Sequence, residues 1–316
     1  TVGPRGIWSA ALIHALGFVP VVTPKSDYEI AKAGIEHSRT DFCIARKLAT
    51  GHAKVLNEHS NIKYLFNPAF IEVKDNPNRK YCIYTQSEPY LVNGELYLDK
   101  NRQLRPVLEF GEREAIVQSL KDEFRRLGYK RKTKHIREAL DYADAAQKAF
   151  CEELYQIGDK FLHKIESETA YGFLAVEAVH LDAVISDLPG AMFSQVRGMH
   201  YIPQLFLKHQ YEGYRIEDIA HNEYWVQSVD ILKAHQFITE TENLFGIRMM
   251  NFGCGPDSMK LFQEERMQEE AGKPLLTLLT DAQTNNAPFV TRAEAFERVV
   301  EECRNGKQYV YANQPA

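Results

Sequence analysis

The sequence predicts an α/β protein with two Rossmann-like lobes, each on a parallel sheet, joined by a long helical segment. Three observations predict it. Strand-length apolar runs alternate with helical spacing at both ends of the chain. A helical stripe occupies the middle. Near the end, the stretch Arg248 to Met259, RMMNFGCGPDSM, reads as a buried strand, a glycine turn and a helix start. The expected division is an N-terminal α/β lobe at 1–110, a helical connection at 111–168 and a C-terminal α/β lobe at 169–316.

The chain opens on a strand end, a Pro-Arg-Gly turn and a helix whose Trp8, Leu12 and Leu16 share one face. Val19 to Val22 follow as a second strand, and helical spacing resumes near Asp27. DFCIARKLATGHAKVL sets Cys43 just before a helix carrying Leu48 and Val55, and IKYLFNPAFIEV is a strand running into a loop. The turn-rich DNPNRKYC then brings Cys82 to the start of CIYTQSEPYLV. From Gly111 the pattern is helical: Ile116, Leu120, Phe124 and Leu127 form a stripe ended by Gly128. A longer stripe runs from Ile136 to Ile165, and an unbroken helix from Thr133 would be roughly 50 Å long, the length of a brace between lobes. AYGFLAVEAV is a strand, Tyr224 to Leu244 an amphipathic helix using Trp225, Val229 and Leu232, and Leu275 to Leu279 a buried strand. Thr291 with Glu294 predicts a capping box for a last helix, with Ala293, Phe296, Val300 and Cys303 inward.

Composition narrows the class. With 44% hydrophobic and 26% charged residues the chain is an ordinary soluble globular protein, and a net charge of -5 argues against a general nucleic-acid binder. The longest apolar run, Ile7 to Val22, is broken by His14, Gly17 and Pro20, so no segment spans a membrane. The absence of a visible signal peptide makes the cytoplasm the expected location. A start at Thr1 that leads almost directly into a strand marks a fragment of something longer.

Five cysteines, widely spaced, are a poor disulfide framework and suit a reducing compartment. Cys43, Cys82 and Cys254 lie at strand or helix junctions, where α/β proteins place ligand groups, whereas Cys151 and Cys303 fall in helix interiors. Several roles stay open for the junction thiols. Cys254 at a helix start favours thiolate and suits a nucleophile, yet the nucleophile elbow would need glycines where Phe252 and Pro256 stand. Three thiolates would suit an iron-sulfur cluster with one open iron, and three with His52 would suit zinc. Buried structural thiols are the plain alternative. Pro256, Asp257 and Ser258 supply the helix start after Cys254, with Asp or Ser as cap. Gly253 and Gly255 allow a tight turn or the close approach of backbone to a ligand. Lys47 and His52, on the helix after Cys43, either contact such a ligand or lie on the surface. The basic run Arg125 to His135 suits an acidic partner or a phosphate, or is a solvated turn.

The residues themselves add a resemblance. VGPRGIW, DFCIARKLATGH followed by YCIYTQSEPYL, YWVQSVDILKAHQFITETENLFGIRMMNFGCGPDSM and PLLTLLTDAQTNNAPFVTRAEAF together resemble the CoA enzyme activase uncharacterised domain. That region accompanies activase domains in large proteins related to 2-hydroxyacyl-CoA dehydratases and double-cubane cluster proteins. The resemblance implies an iron-sulfur cluster, of the 4Fe-4S kind, with Cys43, Cys82 and Cys254 as ligands and Gly253 and Gly255 beside it. It further implies low-potential electrons from an ATP-driven activase, on the same chain or a separate subunit, and an acyl-CoA or other small substrate. The chain departs from the pattern at Ala45 and Ile83, where relatives carry proline soon after the cysteine, and at AVEAVHLD, where a Gly-Arg-Pro-Tyr turn is usual. These departures imply altered or lost substrate handling. Two other classes stay open: a cluster-free interaction module that docks an activase or partner domain, and a thiol hydrolase.

Overall fold

A computed structural model describes residues 5–39, 41–73, 76–167, 170–177, 200–280 and 286–307. The expected strand end at the start of the chain, the VHLD stretch and residues 281–285 lie outside the described residues. The chain divides into two compact units, Thr1–Cys151 with Glu223–Gln227, and Glu152–Asn222 with Ser228–Ala316.

In the first unit α1 (Gly6–Ala15) buries Trp8 and Leu12, as its spacing predicts, with Leu16 just beyond its end. These residues join Leu104, Leu108, Ile116, Leu120, Phe124, Ile136 and Leu140 in one core. The indole Nε1 of Trp8 donates to Asp144 at 2.7 Å, so its one polar group is satisfied inside that core. The segment after α1 is extended but forms no strand: Val19 is 86% exposed, and among the described residues no strand pairs with it. Pro20 and Pro24 remove two of its backbone donors, which is why an apolar, β-branched run here fails to enter a sheet.

Asp27 caps α2 (Tyr28–His37) by accepting the Ile30 N–H at 2.9 Å. Helix α2 lies against α3 (Ile44–Glu58) at a separation that only glycine permits. A Cβ on Gly34 would stand 2.0 Å from the Lys47 carbonyl oxygen, and one on Gly51 would stand 2.0 Å from that of Ile30.

The strands of this unit are short for a stated reason. β1 (Leu65–Phe66) and β2 (Ala69–Val73) run parallel to β4 (Gln103–Leu104) and β5 (Val107–Glu109), and each line is interrupted by proline, Pro68 or Pro106. The bonds Asn67 N–H to Leu104 O and Ala69 N–H to Pro106 O, both 2.9 Å, carry the pairing across the breaks. β3 (Asn76–Lys80) adds an antiparallel edge, and Lys80 also pairs with Trp225. Trp225 is therefore a sheet-edge residue here, not the helical one its spacing predicts. α4 (Ile83–Leu96) lies between β3 and β4, and α5 (Arg113–Arg126) follows β5.

Helix α6 is unbroken from Thr133 to Ser167, 35 residues, and contributes to both units. The second unit is a four-stranded sheet with every pair parallel: β6 (Gly172–Glu177), β7 (Tyr201–Pro203), β8 (Leu244–Asn251) and β9 (Leu275–Thr280), in the order β7-β6-β8-β9. All eight residues of β8 are buried because both faces of the sheet are covered. Phe245, Ile247 and Met249 face Phe289, Ala293, Phe296 and Val300 of the last helix, α10 (Asn286–Arg304). On the other face Leu174 and Val176 meet Ile165 of α6 and Ile231, Ala234 and Ile238 of α7 (Val226–Glu240). α8 (Gly255–Ser258) and α9 (Leu261–Glu270) connect β8 to β9. The expected capping box at Thr291 does not form, because α10 spans Asn286–Arg304 and already contains Thr291. The Thr291 hydroxyl bonds back to the Ala287 carbonyl at 3.2 Å.

The architecture is thus α/β with parallel sheets and a long helix, as the alternation predicts. Among the described residues no helix is long and apolar enough to cross a membrane.

Candidate functional site

The three junction cysteines share a structural position. Cys43 is the N-cap of α3, Cys82 of α4 and Cys254 of the one-turn α8, each in extended or near-extended backbone. In α3 and α4 the first amides and the helix dipole place partial positive charge at the cysteine, a setting that favours an anion there. Cys43 is buried and Cys82 half-buried. Cys151 and Cys303 instead lie within α6 and α10, half-buried, as their spacing predicts.

Cys43 and Cys82 belong to the first unit, where α3 and α4 are fastened together. The buried guanidinium of Arg46 donates to Glu95 at 2.8 Å and to the Thr50 hydroxyl at 2.7 Å, and Thr50 in turn donates to Glu95. Arg46 sits one turn after Cys43 and Glu95 in the last turn of α4, so a single charge network sets the two helices in register. Tyr84, two residues after Cys82, packs its ring 5.1 Å from that of Phe42. Burial first, and then Cys43, Asp41 and Cys82, push its phenol above the ordinary value. One phenol thus senses both thiols.

The two residues expected as ligand contacts or surface groups after Cys43 are neither exposed nor equivalent. Lys47 and His52 are both buried. The imidazole of His52 is hydrogen-bonded at both nitrogens, Nδ1 with the Thr23 hydroxyl at 2.7 Å and Nε2 with that of Ser26 at 2.9 Å. Burial pushes its pKa down to about 3, so it is neutral at physiological pH. A neutral ring with both nitrogens engaged is a structural tie for the 18–26 segment, and it does not suit the zinc arrangement.

Cys254 belongs to the second unit and follows the carboxyl end of β8. The chain order of the strands reverses between β6 and β8, so the turn after β8 stands at a topological switch point, where open α/β sheets bind ligands. Gly253, at φ +74°, needs glycine for its conformation, whereas a Cβ on Gly255 would meet only open space.

The turn is held from below by charges that its sequence conceals. Asp257 does not cap the helix. It turns inward and accepts from the Asn251 backbone N–H at 3.0 Å, the Asn251 side-chain amide at 3.2 Å and Arg248 Nη2 at 3.0 Å. Arg248, fully buried inside the apolar strand, also donates through Nε to Glu264 at 2.7 Å and through Nη1 to the Met249 carbonyl at 2.7 Å. Burial keeps the Glu264 carboxyl above its usual range against the pull of Arg248. His235, held neutral by burial and by Arg248 with its pKa near about 3, faces the same carboxylate at 3.5 Å. Sequence spacing does not reveal this network, although one signal exists: an arginine within a run of strand apolars must find an anion or unfold the strand. The Arg46–Glu95 pair, 49 residues apart, offers no comparable signal.

Among the described residues no group of three or more His, Cys, Asp or Glu side chains is gathered as a metal site. The basic run is partly neutralised: Arg125 pairs with Asp122 at 2.6 Å, Arg126 with Glu123 at 2.7 Å and Lys134 with Glu138 at 3.8 Å.

No curated protein matches the chain. A family model does, over residues 6–195, which takes in Cys43 and Cys82 and ends before the Cys254 turn and the TRAEAF stretch. With well over half of its length matched, the chain belongs to the family of the CoA enzyme activase uncharacterised domain.

Proposed function

We propose that this domain binds an iron-sulfur cluster and receives low-potential electrons from an ATP-driven activase, within a system like the 2-hydroxyacyl-CoA dehydratases. The observation that carries this reading is the shared N-cap position of Cys43, Cys82 and Cys254, against the helix-interior positions of Cys151 and Cys303. Thiolates are the ligands that iron-sulfur clusters take, and a helix N-terminus offsets the negative charge that thiolates bring.

The residues present fit such a group in their donor chemistry. Cys43 and Cys82, on helices locked by Arg46 and Glu95, would supply two thiolates and Cys254 a third. Gly253 gives the turn at the third thiol its left-handed backbone, and the space at Gly255 is open. A bound cluster would supply one-electron chemistry at low potential. Tyr84, whose phenol is raised in pKa by burial and by Cys43, Asp41 and Cys82, would stand as a protonated neighbour of the first two cysteines.

The test is iron and acid-labile sulfide per chain after anaerobic purification, for the native sequence and five single Cys→Ser variants. About four irons are expected, falling sharply in C43S, C82S and C254S and unchanged in C151S and C303S. A chain that stays iron-free after anaerobic reconstitution would remove the cluster and leave a docking module for an activase or partner domain.

A further inference from the structure

The first unit contains a cavity of about 410 Å³ that the cysteines do not use. Its walls are mostly apolar, with Leu16, Phe18, Ile62, Leu65, Phe66 and Phe124 among them, and the extended 18–23 segment forms one side. That volume is in the range of sites for small organic ligands. It also accounts for the segment, an apolar run kept out of any sheet and laid along a cavity.

Lys63 and Tyr64 line the cavity, and Tyr129 and Arg131 pack against residues of its wall. Lys63, in the lining, donates to the Tyr129 hydroxyl at 3.3 Å, and Tyr129 meets the hydroxyl of Tyr64, another lining residue, at 2.9 Å. The guanidinium of Arg131 lies 5.3 Å from the ring centre of Phe18 and 5.6 Å from that of Phe124, both in the wall. Neither Lys63 nor Arg131 forms an ion pair among the described residues, and Arg131 Nε is shielded from solvent without a hydrogen-bond partner. Asn67, in the lining, has a shielded side-chain Nδ2 in the same condition. Glu88 is the one carboxylate in the lining, and it does not enter the electrostatics of Lys63, Tyr64 or Tyr129. The contact between the two phenols shifts them in opposite directions, Tyr129 down through the hydrogen bonds with Tyr64 and Lys63, and Tyr64 up through the one with Tyr129.

We infer that this cavity binds an amphiphilic carboxylate, its apolar tail inside and its head group held by Lys63, Tyr129 and Arg131. Apolar walls supply the tail's affinity by burial, and two cations with no ion-pair partner among the described residues supply the head's. The unmet donor at Arg131 is what such a head group would satisfy. The site is independent of the iron-sulfur reading, since it shares no residue with the cysteine junctions.

The test is calorimetric titration of the full chain with decanoate, decanol and decylamine. Decanoate is expected to bind about tenfold more tightly than decanol, as one charge-assisted hydrogen bond predicts, and decylamine more weakly still. K63Q and R131Q together should bring decanoate to the affinity of decanol, and A10F, which fills the cavity from α1, should abolish binding of both. Failure of the native chain to bind decanoate would overturn the site, as would equal binding of decanoate and decanol. Lys63 is exposed, so K63Q keeps its fold and decides the head-group assignment even where A10F does not fold.

Discussion

The first unit sets its two junction cysteines, Cys43 and Cys82, with helices, and the second sets its junction cysteine, Cys254, with a sheet. Around Cys43 and Cys82 the strands are cut short by Pro68 and Pro106, and helix contacts take over: α2 against α3 through two glycines, α3 against α4 through Arg46 and Glu95. Around Cys254 a continuous parallel sheet ends in a turn that a buried arginine and two carboxylates fix from beneath. A helix N-cap can be positioned by what its helix touches anywhere along its length. A strand-end turn has no such lever, so the second unit buries charge next to it.

The comparison breaks if the buried charges are incidental. Arg248→Met leaves Asp257 and Glu264 buried without their cation and should cost about 3–5 kcal/mol, read by chemical denaturation, with hydrogen exchange rising first in β8 and α9. A loss under about 1 kcal/mol would mean that the strand, and not the network, holds the turn. In the first unit the sharpest change is Gly51→Ala. The added carbon meets a backbone oxygen at 2.0 Å, and separating α2 from α3 should cost about 2–3 kcal/mol with protection lost in both helices. Thr50→Val deprives Arg46 and Glu95 of a shared hydroxyl, for about 1–2 kcal/mol, and loosens α3 from α4 without touching either thiol.

Both units should also weaken in acid. His52 and His235 have folded pKa values pushed to about 3 from an ordinary 6.5. Between those values the unfolded chain binds a proton at each site that the folded chain refuses, so stability is full above 6.5 and declines as pH falls towards 3. Each histidine contributes a slope of at most about 1.4 kcal/mol per pH unit. Denaturation of H52Q near about pH 7 and about pH 5 should show a shallower slope than the native chain, and an unchanged slope would remove His52 from the account. The smallest effect belongs to the surface: Arg113→Ala, which removes exposed pairs with Asp141 and Asp144, should cost about 0.5 kcal/mol in thermal unfolding.

Much of the fold was legible where one period governs a long stretch. Ile136 to Ile165 keep helical spacing with no proline and a single glycine, Gly158, and α6 follows it. The glycine turn after Met250 and the N-cap position of Cys43 were equally plain, because backbone freedom and caps act within a few residues. Val19 to Val22 misled, since β-propensity speaks for a strand while only an available edge makes one, and two prolines denied it. Thr291 misled because a capping pattern is chemically sound wherever it falls, but α10 had already begun at Asn286. Asp257 misled for the opposite reason: its pull towards Arg248 exceeds what a cap would gain.

By itself the sequence determined the class, the long helix and the junction positions of the three cysteines, since each follows from spacing or backbone chemistry within a turn or two. Tertiary structure alone decided that Arg46 meets Glu95, that His52 is locked between Thr23 and Ser26, and that Arg248 gathers Asp257 and Glu264. These are bonds between side chains distant in sequence, and in a buried site the partner available fixes what a charged or polar group does.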